Sequence, residues 1–179
     1  MSGGGRWTRR ALGALALSGL LGGCGFRPIY APRGDGAMGP AEAGLAAVDV
    51  GLIPERSGQQ LRQALQERLD RSGAALARRY DLTVRLAWNV ELLAIEQDSS
   101  VTRVRLVGVA NWTLTGRDPQ RRTLTSGTSR SLDAFNIINE QYFTADLNNQ
   151  MVQGRVADAL AEQITLQLAA YFNKVAASG

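Results

Sequence analysis

Apolar and polar residues alternate most regularly between Tyr80 and Leu114. Tyr80, Leu82, Val84, Leu86, Trp88, Val90 and Leu92 are apolar, with Asp81, Thr83, Arg85, Asn89 and Glu91 set between them. A period of two over that length predicts a strand longer than usual, one face of which meets a core. The polar run Glu96-Gln97-Asp98-Ser99-Ser100 predicts a turn. Val104, Leu106, Ala110, Trp112 and Leu114 then resume the alternation against Arg103, Arg105, Asn111 and Thr113. The two segments predict an antiparallel hairpin whose even-numbered residues face the core. Leu86 is expected opposite Trp112, Trp88 opposite Ala110 and Leu92 opposite Leu106, with Leu93–Arg105 and Ile95–Arg103 on the other face. Gly108 interrupts the second strand, which predicts a bulge or a close contact there.

Weaker patterns flank the hairpin. Val48, Val50 and Leu52 alternate with Asp49, Gly51 and Ile53 and predict a short strand closed by Pro54. Leu61, Leu65 and Leu69 recur every four residues beside Ala64, with Arg62, Gln66, Glu67 and Arg71 on the polar side. This predicts an amphipathic helix with Ser57 as its N-cap and Gly73 as its stop. Gly116–Gln120 reads as a turn, Thr- and Ser-rich Arg122–Leu132 as an edge strand, and Asp133–Phe143 as irregular. Val152, Val156, Leu160, Ile164, Leu168 and Phe172, widened by Ala159 and Tyr171, form a stripe along a long helix from about Ala145 to Phe172, with Thr144 at its N-cap. The order strand, helix, three strands, helix predicts an α+β fold. It is a two-layer sandwich with two helices on one face of a four-stranded, mostly antiparallel sheet, forming a single domain over residues 46–179.

The N-terminus follows a different logic. Arg6, Arg9 and Arg10 precede Ala11–Leu21, eleven apolar and small residues without a charge. About 20 apolar residues are needed to cross a bilayer, so this run is too short for a span and fits the apolar region of a secretory signal peptide. Leu21-Gly22-Gly23-Cys24 resembles a bacterial lipobox, in which the cysteine thiol takes a diacylglyceryl group and the new amine is acylated. Residues 1–23 are therefore expected to be removed and Cys24 to be the lipid attachment site. Two acyl chains already give stable anchoring, and Cys24 would carry three. Thr8-Arg9-Arg10 leaves export by the general or the twin-arginine route open. By resemblance to lipoprotein sorting, Gly25 after the cysteine, where an Asp would retain the protein at the inner membrane, points to the outer membrane, facing the periplasm. Residues 24–45 hold Pro28, Pro32, Pro40 and four glycines from Gly34 to Gly44, and read as a tether without regular structure.

Composition narrows the chemistry further. The 179 residues include 20 Lys+Arg, 16 Asp+Glu and no His, for a formal charge of +4. Removal of the leader leaves 17 basic residues against 16 acidic ones, so the basic character is not a nucleic-acid footprint. Without histidine there is no Ser–His–Asp triad, no Cys–His pair and no histidine-ligated metal or haem. A single cysteine allows no intrachain disulfide and no thiolate cluster. No metal or cofactor is expected.

Cys24-Gly25-Phe26-Arg27-Pro28-Ile29-Tyr30 resembles the mature start of the LptE family, lipopolysaccharide-assembly lipoproteins of the outer membrane, in its alphaproteobacterial form. Arg155-Val156-Ala157 and Glu162-Gln163-Ile164, ahead of Leu168 and Tyr171-Phe172, are similar to that family's last helix. The resemblance implies two helices on a four-stranded sheet, matching the layout read from the patterns. It implies a non-enzymatic subunit that assists assembly of an LptD-type β-barrel, plugs its lumen and contacts lipopolysaccharide. It further implies that basic residues at the hairpin end of the sheet bind the lipid.

Arg103 and Arg105 are the candidates for that contact. Beside Leu93, Ile95, Val107 and Val109 they would offer guanidinium forks for phosphates and aliphatic surface for acyl chains. Arg121 and Arg122 form a second basic pair, expected at the opposite end of the sheet. Two other classes of function stand beside this one. One is a periplasm-facing lipid- or ligand-binding lipoprotein without a barrel partner. The other is a carboxylate-based envelope hydrolase using Glu91, Glu96 and Asp98, whose clustering is more simply that of a solvated loop.

Overall fold

A computed structural model describes residues 38–70, 76–95, 101–136 and 142–178. The elements run α1 (Pro40–Ala46), β1 (Val48–Val50), α2 (Glu55–Leu69), β2 (Tyr80–Ile95), β3 (Val101–Gly116), β4 (Thr123–Asn136) and α3 (Tyr142–Ser178). The strands form one sheet in the order β1-β2-β3-β4. β1 runs parallel to β2, while β2–β3 and β3–β4 are antiparallel. The fold is thus α+β, with the sheet mostly antiparallel as expected.

The alternation correctly marks the buried face. Leu82, Val84, Leu106, Ala110, Trp112 and Leu114 are buried, and Leu86 and Trp88 pack against them. The pairing differs from expectation by two residues: Leu86 faces Ala110, Val84 faces Trp112, and Trp88 faces Gly108. A two-residue slide keeps every side chain on its own face, so alternation cannot detect it. The pairing is continuous from Tyr80 to Leu92 and shifts only between Leu92 and Ile95, beside the turn. The turn itself, residues 96–100, lies outside the described residues, as does Gly73.

Gly108 is a close contact and not a bulge. A Cβ there would lie 2.7 Å from Val156 Cγ1 and 3.1 Å from Leu160 Cδ1, so the missing side chain is what lets α3 settle onto β3. The stripe on α3 is the core of the molecule: Val152, Val156, Leu160, Ile164, Leu168 and Phe172 are all buried, together with Ala157, Ala161 and Ala169. Each such Val or Leu stabilises the fold by roughly 1.5–3 kcal/mol through burial. The helix is longer than the stripe predicts and begins at Tyr142, so Thr144 lies inside it. β4 likewise continues to Asn136, into the stretch Asp133–Phe143 read as irregular, with Phe135 packed on the core.

Three further differences have local causes. The tether is not wholly irregular: Pro40 opens the short helix α1, whose Ala41, Leu45 and Ala46 are buried. Gly44 lies where a Cβ would run into the Phe172 ring, so α1 docks closely on α3. β1 stops at Val50 because its last rung, Gly51 N–H to Leu82 O at 2.9 Å, is followed by a change of direction. That turn buries Ile53 and leaves Leu52 exposed. α2 starts at Glu55 behind Pro54, so Ser57 is not the cap. It sits buried in the first turn and accepts a hydrogen bond from Trp88 Nε1 at 3.0 Å.

Helix length decides what the sheet leaves uncovered. α3, with 37 residues, runs about 55 Å, while α2, with 15, runs about 22 Å. The Trp88–Ser57 bond places the N-terminal end of α2 over Trp88. Beyond that point no helix of the described residues lies above β2, and Val90 and Leu92, on the core-facing side by parity, are 62% and 56% exposed.

Candidate functional site

The outer face of the hairpin end carries both candidate arginines. Arg105 lies opposite Glu91 on β2 and Ala134 on β4; Arg103 lies opposite Ala94 and Asn136. The expected neighbours Leu93 and Ile95 are therefore not the cross-strand partners of these arginines: the two-residue slide sets Arg105 against Glu91, and the register shift after Leu92 sets Arg103 against Ala94. Their side chains lie outside the described residues. Arg105 Nη1 donates to Glu91 Oε2 at 3.1 Å, while Arg103 is exposed and makes no ion pair among the described residues.

The register brings in a third guanidinium that the linear pattern concealed. Arg130, in the Thr/Ser-rich β4, lies opposite Val109, and its Nη2 is 3.9 Å from Glu91 Oε1. Val107 sits midway between the Glu91–Arg105 and Val109–Arg130 levels of the sheet, between Asn89 and Leu132. It is only 1% exposed although it belongs to the outer face. Arg105 and Arg130, each reaching one oxygen of the Glu91 carboxylate from the β3 side, frame Val107. No sequence signal short of the β3–β4 register would have put Arg130 beside Glu91.

Three arginines against one glutamate leave this face locally cationic. Its aliphatic members include Ala87, Val107, Val109, Ala134 and Leu132, the last half-exposed. The ion pairs are partly exposed, and each contributes about 0–1 kcal/mol, so they orient the side chains more than they hold the fold. The arrangement can meet a phosphorylated amphiphile with guanidinium donors and apolar surface together.

The second basic pair lies at the other end of the sheet, as expected, in the β3–β4 turn where Arg121 adopts a φ of 44°. There it is neutralised. Arg121 bonds Asp81 at 2.7 Å and Arg122 pairs with Asp118 at 3.2 Å. Arg117 joins Asp81 and Asp49, tying β1, β2 and the turn together. The hydrogen bond that Arg117 donates to Asp81 is the largest of the influences that raise the Arg117 pKa above its ordinary value. This cluster is a structural clamp with no cationic surplus comparable to the hairpin end.

Of the three carboxylates considered for hydrolysis, Glu91 is committed to arginines, while Glu96 and Asp98 lie outside the described residues. Among the described residues no three His, Cys, Asp or Glu side chains gather into a metal-binding group. Cys24 and the segment before it lie outside the described residues.

Comparison with known proteins places this geometry. Residues 45–168 match the family described as LptE, lipopolysaccharide-assembly. No curated protein sequence matches the chain. Among solved structures, a Caulobacter crescentus CB15 protein described as a lipoprotein superposes with a TM-score of 0.59 at 21% identity, over 75% of this chain and 98% of that one. The rare lipoprotein B of Shewanella oneidensis gives a TM-score of 0.57 at 10% identity, over 74% and 98%. A minor lipoprotein of Acinetobacter baumannii gives 0.50 at 20% identity, over 69% and 90%. At these identities the likeness is one of fold.

Proposed function

Since the chain belongs to the LptE family of lipopolysaccharide-assembly proteins, we propose that it is a lipid-anchored subunit of the outer-membrane machinery that places lipopolysaccharide in the outer leaflet. The observation that carries this reading is the family match across residues 45–168, which takes in the whole sheet and the buried stripe of α3 as far as Leu168. In this reading Cys24 bears the acyl chains, and residues from there to α1 tether the sandwich to the membrane on its periplasmic side. The sandwich occupies the lumen of an LptD-type barrel and assists its assembly. No step of covalent chemistry is assigned to it.

The hairpin end supplies the contact with lipopolysaccharide. Arg103 offers a guanidinium that makes no ion pair among the described residues, and Arg105 and Arg130 offer the donors that Glu91 leaves free. Glu91 holds the latter two in place before ligand arrives, which lowers the ordering cost of binding. An affinity-tagged chain recovered from detergent-solubilised outer membranes tests the barrel. Co-recovery of a large outer-membrane barrel in near-equal amount is expected. Recovery of lipopolysaccharide with no barrel would replace this reading with that of a ligand-binding lipoprotein acting alone.

A further inference from the structure

We propose that, away from its barrel partner, the chain pairs with a second copy of itself along the free edge of β2, making one continuous sheet across a twofold axis near Trp88. β1 covers β2 only from Tyr80 to Leu82, and Gly51 N–H closes the last rung on Leu82 O. Backbone groups of alternate residues point to the same side of a strand. The N–H and C=O groups of Val84, Leu86, Trp88, Val90 and Leu92 therefore point away from β3, and no strand of the described residues meets them.

The treatment of the two neighbouring edges differs. The outer edge of β1 is stopped by arginine side chains: Arg78 Nη1 donates to Ala46 O and Val48 O at 2.8 and 2.9 Å, and Arg62 Nε to Val50 O at 3.2 Å. Such plugs prevent another strand from adding. The β2 edge past Leu82 has no such plug among the described residues, and the exposed apolar pair Val90 and Leu92 lies along it. An open edge flanked by apolar side chains is the substrate of strand addition.

Charge selects the partner and the register. On the outer face, the residues of β2 from Thr83 to Glu91 are Thr83, Arg85, Ala87, Asn89 and Glu91, of which only two are charged. Arg85 is exposed and makes no ion pair among the described residues. In an antiparallel pair centred on Trp88, Arg85 of each copy falls opposite Glu91 of the other, joining the Arg105 and Arg130 that this half-exposed carboxylate already meets, and Ala87 falls opposite Asn89. Moving the centre by one residue in either direction breaks both charge matches. An isologous contact needs such self-complementarity, because the twofold axis makes every contact between unlike residues twice. On the core-facing side the same register lays Leu86 against Val90 and Leu92 against Val84.

Sedimentation equilibrium of the full, detergent-solubilised chain at micromolar concentration tests this without any barrel present, so its outcome is separate from that of the barrel recovery. The wild-type chain is expected at twice the protomer mass. Arg85→Glu and Glu91→Arg should each sediment as single copies. An equimolar mixture of these two variants should regain the doubled mass, since both cross-strand pairs are then of opposite charge. Val90→Pro removes an outward N–H from a position where an edge strand tolerates proline, and should lose the doubled mass with an unchanged circular dichroism spectrum. A wild-type chain of single mass overturns the proposal. So does a doubled mass that survives Arg85→Glu or Val90→Pro, or one that the mixture fails to regain.

Discussion

The indole N–H of Trp88 donates to the hydroxyl of Ser57 over 3.0 Å, joining the middle of β2 to the first turn of α2 across 31 residues of sequence. The bond fixes where the short helix stops along the strand, and so where the covered part of β2 ends. Ser57→Ala should lower the unfolding free energy by about 1 kcal/mol, the cost of a lost acceptor for a partly buried donor. A double-mutant cycle with Trp88→Phe checks it. The second substitution should cost less in the Ser57→Ala background than alone.

Gly108 should resist any side chain. The space its Cβ would need is held by Val156 and Leu160 of α3 and by the ring of Trp88. Gly108→Val is expected to destabilise the chain by about 1–3 kcal/mol, as overpacking does. Chemical denaturation monitored by tryptophan fluorescence measures it, and an unchanged midpoint would mean that α3 does not rest on β3 at this level.

The parity of the hairpin, the α2 stripe and the α3 stripe were legible because each is a repeated pattern whose burial has one solution. The cross-strand offset was not, because Leu86 keeps the same face opposite Ala110 or Trp112. The helix α1 was masked by the Pro and Gly around it, though Pro40 at its first turn and Leu45 four residues after Ala41 carry its signal. Ser57 looked like a cap because its residue type favours that role; its acceptor is spent on Trp88, which only the fold brings near. The two arginines proposed for the site were readable as cations of the hairpin end. Their companion Arg130, and the placing of Glu91 against Arg105 and Arg130, depend on register, which alternation leaves free.

The hairpin end is expected to carry lipid contact without carrying stability. Arg103→Glu with Arg105→Glu removes one ion pair that is partly exposed, so the melting temperature should fall by little, corresponding to no more than about 1 kcal/mol. Lipopolysaccharide binding by the purified chain should weaken markedly. Arg121→Glu with Arg122→Glu, at the opposite end, serves as the comparison and should leave binding intact. Equal binding by wild type and the Arg103/Arg105 variant would remove this face as the contact.

Cys24 is expected to be the first residue of the mature chain. Mass spectrometry of the protein extracted from membranes should find a triacylated cysteine at the N-terminus, and Cys24→Ser should accumulate as an uncleaved precursor. A mature chain that begins elsewhere, or an unmodified Cys24, would contradict anchoring through this residue.

Depletion of the chain from growing cells, with lipopolysaccharide then quantified at the cell surface and in the remaining envelope, addresses the central claim most directly. The account predicts a fall in surface lipopolysaccharide with retention inside the envelope, restored by the wild-type chain and restored poorly by the Arg103→Glu, Arg105→Glu double variant. Surface lipopolysaccharide that stays at its normal level after the chain is gone would contradict it.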